Sequence, residues 1–236
     1  MKKLLFLAAT AATGCFFSFT ALAQTGDEIV AKYISAIGGK DKISAVQTLY
    51  MEGSMNVMGN DAPVTVYQVN GKGYKSEMEF NGSKIIQCIT DKGGWMMNPM
   101  MGGFQEIPAE QLKSNRDQIY IGGALLDYKA NGATVDFVKK DGNNNVVKYT
   151  DKDKNEKTYY FDANTGYLTK LVQKGNAMGQ EVEITISMSD YKKTDAGYVM
   201  PYSMNTDLGQ FSLAMTITKV EVNKAIDPSI FDAPKQ

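Results

Sequence analysis

The spacing of apolar residues changes along the chain, from a helical period near the start to strict alternation over most of the rest. A first helix is indicated by five apolar residues at helical spacing: Ile29, Val30, Tyr33, Ile34 and Ile37. Thr25 and Glu28 precede and enter this run three residues apart, as the two members of a capping box do. Gly38 ends the pattern. The sequence therefore predicts a helix that begins after Thr25, followed by a short second helix through Ile43 and Val46.

After Gln47, apolar and polar residues alternate, which is typical of strands with one apolar face and one polar face. The alternation is clearest in four runs: 49–57, 74–80, 181–188 and 211–218. Turn-forming pairs such as Asn70-Gly71 and Asp141-Gly142 separate the runs. We expect roughly nine to eleven antiparallel strands joined by hairpins. No repeat or change of composition divides the chain, so residues 24–236 are expected to form one mainly β domain of the α+β class.

A helical segment interrupts the strands near the middle of the chain. Pro108 suits the first turn of a helix, and the pattern predicts a helix from Ile107 to about Tyr120. Gly122-Gly123 ends it, and Leu125-Leu126 form a further short apolar turn. A long sheet with one apolar face must cover that face. It could close into a barrel, stack on a second sheet, or curve around the two helical regions.

The first 23 residues have the composition of a secretory signal peptide. Lys2 and Lys3 precede an apolar run, and Ala21-Leu22-Ala23 has the small-x-small form of a cleavage site. We therefore expect export and cleavage after Ala23. Two alternatives stay open, a retained membrane anchor and a lipoprotein that carries its lipid on Cys15.

Composition argues against several classes of chemistry. The chain has no histidine, which removes histidine-based nucleophile systems and almost every familiar zinc site. A net charge of −1 gives no steering toward nucleic acid. Cys88 is expected to be a small buried side chain, because it lies in an apolar run without a partner cysteine in the mature chain. The charged run 151–156 lacks the spacing of a calcium loop. We expect no enzyme activity, no metal and no cofactor, with a pair of glycosidase-type carboxylates as the open alternative.

Methionine is frequent, with 14 residues in 236, and it concentrates on the apolar strand faces and in one short segment. In that segment, Met96, Met97, Met100 and Met101 lie beside Trp95, the single tryptophan, between glycines. Methionine is flexible and polarisable, so it suits a surface that adapts to ligands, although it also fills gaps in ordinary cores. The predicted lining of an apolar ligand site is Met51, Met55, Met78, Phe80, Trp95, Met97, Met100, Met101, Ile184, Ile186, Met188, Leu213 and Met215.

Several short motifs, taken in order, resemble one family. They are DEIVAKYISAIGG, TDKGGWMMNP, LLDY, TYYFDANTGYLTKLV, GQEVEITISMSDYK and AIDPSIFDAP. Over residues 25–232 this order resembles the outer-membrane lipoprotein-sorting proteins, the LolA-type carriers and their LppX-like relatives. The resemblance implies an open antiparallel half-barrel whose concave apolar face is covered by short helices. It also implies a periplasmic carrier of lipoprotein acyl chains or another amphiphilic lipid, without catalysis.

The resemblance assigns positions and partners as well. Trp95 and Met97 would lie at the cavity mouth, and Ile226 and Phe231 would close one end of the half-barrel. The lid would contain Leu112, Ile119, Leu125 and Leu126. The protein is expected to be a monomer that takes cargo from an inner-membrane loading complex and delivers it to an outer-membrane receptor.

One departure from the family concerns the lid. LolA-type carriers hold the lid with an arginine on an early strand, where this chain offers only Lys72 and Lys75. A lysine lacks the planar fork of an arginine, so the same latch is not expected. Arg116, the only arginine, falls in the predicted mid-chain helix, either as an exposed charge or as a latch contact. The alternative function is a non-transporting lipid-binding or envelope-associated module on the same half-barrel.

Overall fold

The computed structural model describes residues 24–177 and 180–234. The predicted signal peptide, its cleavage after Ala23 and the alternative lipid on Cys15 concern residues 1–23, which lie outside this range.

Three short α-helices and three 3₁₀ turns are present in the described residues. The helices are α1 (Gly26–Ala36), α2 (Lys40–Ser44) and α3 (Ala109–Asn115), and the turns are Pro99–Met101, Arg116–Ile119 and Pro228–Phe231. The capping box of α1 is confirmed, since the Glu28 amide donates to the Thr25 hydroxyl (3.2 Å) and the Thr25 amide donates to the Glu28 carboxylate (2.9 Å). The predicted helix through Tyr120 is wrong in length, because α3 has seven residues and continues as a 3₁₀ turn.

The strands number thirteen in the described residues, more than the nine to eleven expected. The strands are β1 (Thr48–Val57), β2 (Asn60–Val69), β3 (Gly73–Phe80), β4 (Ser83–Thr90), β5 (Gly94–Asn98), β6 (Gly103–Glu106), β7 (Thr134–Asp141), β8 (Asn144–Thr150), β9 (Glu156–Asp162), β10 (Leu168–Ala177), β11 (Gln180–Lys193), β12 (Val199–Asp207) and β13 (Ser212–Val222). The segment of Trp95 and its neighbouring methionines contributes β5, a 3₁₀ turn and the start of the connection to β6.

All thirteen strands belong to one antiparallel sheet with the order β6-β5-β4-β3-β2-β1-β13-β12-β11-β10-β9-β8-β7. The chain starts in the middle with β1 and runs by hairpins to one edge at β6. Residues 107–133, here called the crossover segment, then carry it to the opposite edge at β7. From there it returns by hairpins to β13, which pairs with β1. The sheet therefore consists of two meanders that meet in its centre and are joined across its face.

The sheet is strongly curved, as two neighbouring residues of the crossover segment demonstrate. The Gln118 carbonyl accepts a hydrogen bond from the Gln68 side chain on β2 (2.7 Å), whereas Asp117 forms an ion pair with Lys157 on β9. In the sheet order β2 and β9 are six spacings apart, which is about 29 Å in a flat sheet. Adjacent Cα atoms lie only about 3.8 Å apart, so the two strands can be reached together only around a concave face. This curvature is consistent with an open half-barrel.

The concave face is partly filled by the N-terminal helices. Ile29 and Val30 of α1 pack against Val147 and Phe161 on β8 and β9. Ile43 of α2 packs on a second cluster. These contacts fill two parts of the concave face and leave the space between them and the crossover segment.

Candidate functional site

A cavity of about 350 Å³ lies between the concave face and residues 115–125 of the crossover segment. Its walls come from β1–β3 on one side and β9–β13 on the other, with Tyr33 of α1 between them. Most of the lining is apolar. Its volume falls within the range of small-ligand pockets, about 300–1,000 Å³.

Four methionines form a continuous row across the concave face. Residues opposite each other in an antiparallel pair lie on the same face of the sheet. Met55 on β1 is opposite Met215 on β13, Met215 is opposite Met204 on β12, and Met204 is opposite Met188 on β11. We call these four residues the methionine row. Three of them, all but Met55, line the cavity directly.

The predicted lining residues divide between the two faces of the sheet. Those that line the cavity are Met51, Ile186, Met188 and Met215. Those that share its face but lie outside its lining are Met55, Met78, Phe80, Ile184 and Leu213. Trp95, Met97 and Met100 are placed elsewhere.

Trp95 lies on the convex face, away from the cavity. In the sheet, Gly94 is opposite Ile89, which is opposite Tyr74 of the cavity wall, so Gly94 lies on the concave face. Trp95 is the next residue along β5 and therefore lies on the other face, with Cys88 and Lys75. Met97 has the same parity as Trp95 and also faces outward. The structure therefore does not bring either residue to the cavity.

The remaining methionines of this segment lie in different surroundings. Met96 faces inward and packs against Ile89, Ile107 and Ile119. Met100 lies in the 3₁₀ turn with 59% of its surface exposed. The side chain of Met101 lies outside what the structure describes.

The C-terminal 3₁₀ turn covers Trp95. The Trp95 indole N–H donates to the Phe231 carbonyl (3.0 Å), and the Phe231 ring lies where a side chain on Gly73 would stand. Cys88 is fully buried beneath the same turn, and burial raises the pKa of its thiol to about 11. Phe231 thus packs on the convex face instead of closing the end of the concave one.

The predicted lid residues all belong to the crossover segment and pack toward the sheet. Ile119 is fully buried against Ile89 and Ile107, and Leu112 joins that cluster. Leu125 lines the cavity, and Leu126 packs on the cluster that contains Ile43. The crossover segment therefore covers the cavity.

Hydrogen bonds attach the crossover segment to the β2–β3 turn and its neighbours. The Gly71 amide donates to the Ile119 carbonyl (2.8 Å), and the Ile121 amide donates to the Asn70 side chain (3.0 Å). Arg116, whose side chain is exposed, also donates to the Asp91 carbonyl (3.0 Å), so it combines features of both alternatives.

The early-strand lysines do not contribute side chains to this attachment. Lys75 forms an ion pair with Glu77 (2.7 Å) and lies over Trp95 on the convex face. The ion pair that reaches the segment from the sheet is instead Lys157 with Asp117, on the opposite meander. The segment is therefore held from both sides of the concave face.

Five tyrosines around the cavity remain uncharged at neutral pH. Burial raises the pKa of Tyr198 to about 12. Burial also raises the pKa values of four others: Tyr33, Tyr74, Tyr159 and Tyr191. The Tyr191 hydroxyl donates to the Leu168 carbonyl (2.7 Å). These five side chains therefore present aromatic surface without negative charge.

A second cavity of about 550 Å³ borders the same stretch of the crossover segment, with Asp117, Tyr120 and Ala124 lining both. Seven of its eighteen described lining residues are charged, with both signs present, among them Arg116, Lys152 and Asp153. Such a lining suits water better than a hydrocarbon chain, so the smaller, apolar cavity is the candidate site for an apolar ligand.

Neither a group of metal-binding side chains nor a membrane-spanning helix is found within residues 24–177 and 180–234. No group of three or more acidic or cysteine side chains there is arranged to hold a metal ion. None of the helices in that range has the length and apolar character needed to span a membrane.

The sequence-based prediction missed several residues that the cavity contains. Met200 and Met204 lie in the run VMPYSM, where an inserted proline and consecutive apolar residues hide the alternation. Alternation of Met200, Tyr202 and Met204 was the available signal. Lys157 and Asp117, forty positions apart, have no local pattern that would bring them together.

Comparisons with known proteins address the fold. No family model matches the sequence, and no curated protein matches it. The crystal structure of an outer membrane lipoprotein-sorting protein domain from Vibrio parahaemolyticus is similar, with a TM-score of 0.54 and 13% identity over 88% of this chain and 96% of that one. A LolA superfamily protein from Nitrosomonas europaea gives a TM-score of 0.56 and 8% identity over 89% of this chain and 99% of that one. The resemblance to LolA-type proteins is thus confirmed at the level of the fold.

Proposed function

We propose that this protein is a periplasmic, non-catalytic carrier that binds the acyl chains of lipoproteins, or another amphiphilic lipid, in the cavity beneath the crossover segment. The observation that carries the proposal is the methionine row, which crosses four strands of a concave face and leads into a cavity of about 350 Å³. The LolA-type fold and the signal-peptide composition of residues 1–23 support the direction of export.

A carrier must bind its cargo and also release it. Each buried methylene of an acyl chain contributes about 0.8 kcal/mol to binding, so a fully closed rigid site would hold a long chain for too long. The crossover segment offers a way out, because the polar contacts that attach it are a few hydrogen bonds and ion pairs with exposed or half-exposed partners: Lys40 with Asp127 (2.5 Å), Lys129 with Asp27 (2.5 Å), and Lys157 with Asp117. Methionine side chains can adapt as the cargo moves.

Native mass spectrometry of the mature protein, purified from its own cell envelope without detergent, tests the proposal. We expect a mass excess that dissociates as a lipid or an acylated peptide. Replacement of the methionine row by serine should remove the excess. A ligand-free mass for the unchanged protein would contradict a carrier and favour the non-transporting envelope module.

A further inference from the structure

The cavity contains one ion pair in a lining that is otherwise apolar or neutral. Among the described residues that line it, Lys157 is the only cation and Asp117 the only anion. Removing two charges from water is costly, and a buried pair is often no more stable than apolar side chains of similar size. Besides tying the crossover segment to β9, this pair therefore places one largely buried charge, the ammonium group of Lys157, in an apolar lining.

The two partners differ in exposure and in the rigidity of their supports. The Lys157 side chain is 12% exposed and stands on β9 inside the sheet, whereas the Asp117 side chain is 38% exposed on a 3₁₀ turn of the crossover segment. Lysine is thus the fixed partner, and aspartate is the partner that can leave. Asp117 also borders the second, polar cavity, where water can solvate a released carboxylate.

Neighbouring polar groups complete a binding position around Lys157. In the sheet, Lys157 lies opposite Gln173 on β10 and opposite Tyr149 on β8. Opposite residues share a face, so both side chains stand beside Lys157, with Gln173 in the lining of the apolar cavity and Tyr149 in that of the second cavity. The pKa of Tyr149 is raised to about 12, mainly by burial and further by the charge of Asp117, so the phenol remains a neutral donor. Lys157 and Gln173, which both line the apolar cavity, offer the N–H donors that an anionic head group needs.

We propose that Lys157 and Gln173 bind the anionic head group of a single-chain amphiphile, a long-chain carboxylate, in exchange for the carboxylate of Asp117. The inference rests on the proposed function, since the hydrocarbon chain would occupy the apolar cavity. The exchange breaks the contact that ties the crossover segment to β9, and so head-group binding loosens the lid on that side. The ligand itself thereby supplies part of the opening.

The test compares dodecanoate with 1-dodecanol, which has a chain of the same length and no charge. Displacement of a neutral naphthylamine probe from the full mature chain at about pH 8, where the carboxylate is ionised, measures both affinities. We expect the unchanged protein to prefer dodecanoate about tenfold, which corresponds to about 1.4 kcal/mol. Lys157→Met should abolish the preference.

Two further variants separate head-group binding from a purely structural tie. Asp117→Asn removes the competing carboxylate and should raise the affinity for dodecanoate. If the ion pair only tied down the lid, Asp117→Asn and Lys157→Met would have the same effect, and that effect would be equal for dodecanoate and 1-dodecanol. Lys174→Met is the matched control. It removes the same charge at a position next to Gln173, but the Lys174 side chain is 80% exposed and paired with Glu181 (2.9 Å). It should keep the full preference.

The outcomes distinguish this inference from the proposed function. Equal affinity for both ligands in the unchanged protein, or a preference that survives Lys157→Met, would overturn head-group binding and leave the apolar cavity standing. Failure of the unchanged protein to bind either ligand would overturn the proposed function and the inference with it.

Discussion

Replacing Ile119 by alanine should open the crossover segment without unfolding the sheet. Ile119 is fully buried, and its side chain contacts Ile89 and Ile107 where the segment meets β4. The change removes three carbon atoms, each worth about 0.8 kcal/mol when buried, or about 2.4 kcal/mol together. A residual cavity can increase this value within the usual range of about 2–5 kcal/mol. If the segment opens as a unit, its opening constant should rise about fiftyfold.

Native-state hydrogen exchange measures this opening directly. The amides of Gly71 and Ile121 report on the opening, because each forms a hydrogen bond between the crossover segment and the β2–β3 turn. The amides that pair β1 with β13 report on global unfolding. Ile217→Ala is the matched control, since Ile217 is 3% exposed in a cluster of sheet residues. That variant should lower the free energy of global unfolding and move the urea midpoint.

An independently moving lid would be refuted by two results together. Ile119→Ala would lower the urea midpoint as much as Ile217→Ala does. The amides of Gly71 and Ile121 would keep the same protection from exchange, relative to the amides that pair β1 with β13, as in the unchanged protein. The crossover segment would then be part of a single cooperative unit, and a lid that moves independently would have no support.

Three other predictions follow from the placement of particular side chains. Replacing the four residues of the methionine row by serine should weaken dodecanoate binding more than about tenfold, since even two lost methylene contacts are worth about 1.6 kcal/mol. The control variant, Met97→Ser with Met100→Ser, should leave dodecanoate binding unchanged. Equal effects of the two variants in the probe assay would contradict the placement of the site. Dodecanoate should not shift the emission maximum of Trp95, the only tryptophan, because its indole is hydrogen-bonded beneath the C-terminal turn, and a shift on titration would put ligand on the convex face. Hydrogen bonds from Lys129 and Tyr128 (2.5 Å each) lower the pKa of Asp27, so their stabilising effect is present above the ordinary pKa of about 3.9 and is lost as the pH falls through the folded-state value. Asp27→Asn should therefore lower the thermal midpoint at about pH 7 and not at about pH 2, and an equal loss at both would refute the linkage.

The faces of the sheet could be predicted wherever the sequence alternates. Met51, Ile186, Met188 and Met215 stand in alternating runs, and each lines the cavity. Trp95 does not alternate with its neighbours, because Met96 and Met97 follow it directly, and such a continuous apolar run contains no information on which residue faces inward. The burial of Trp95 on the convex face depends on the C-terminal turn, because its indole donates to the carbonyl of Phe231, 136 positions further along the chain.

The position of Lys157 in the cavity could not be predicted from local sequence patterns either. Lys157 follows a charged run and looks like one more solvated lysine in sequence. Only the curvature of the sheet brings β9 to the crossover segment, and curvature is a collective property of thirteen strands. The short helix α3 shows the same limit, since a 3₁₀ continuation depends on what the turn packs against.

The order of the strands has a consequence for how the chain folds. Twelve pairings hold the sheet together, and eleven of them join strands that follow each other along the chain. The exception is β1 with β13, in which Leu49 meets Val222. Local hairpins form within microseconds, whereas contacts between distant residues must first overcome the entropy of closing a long loop. Each meander can therefore assemble by itself, and the central seam is the step that depends on both, so a nascent chain cannot complete its concave face until its last strand has been synthesised.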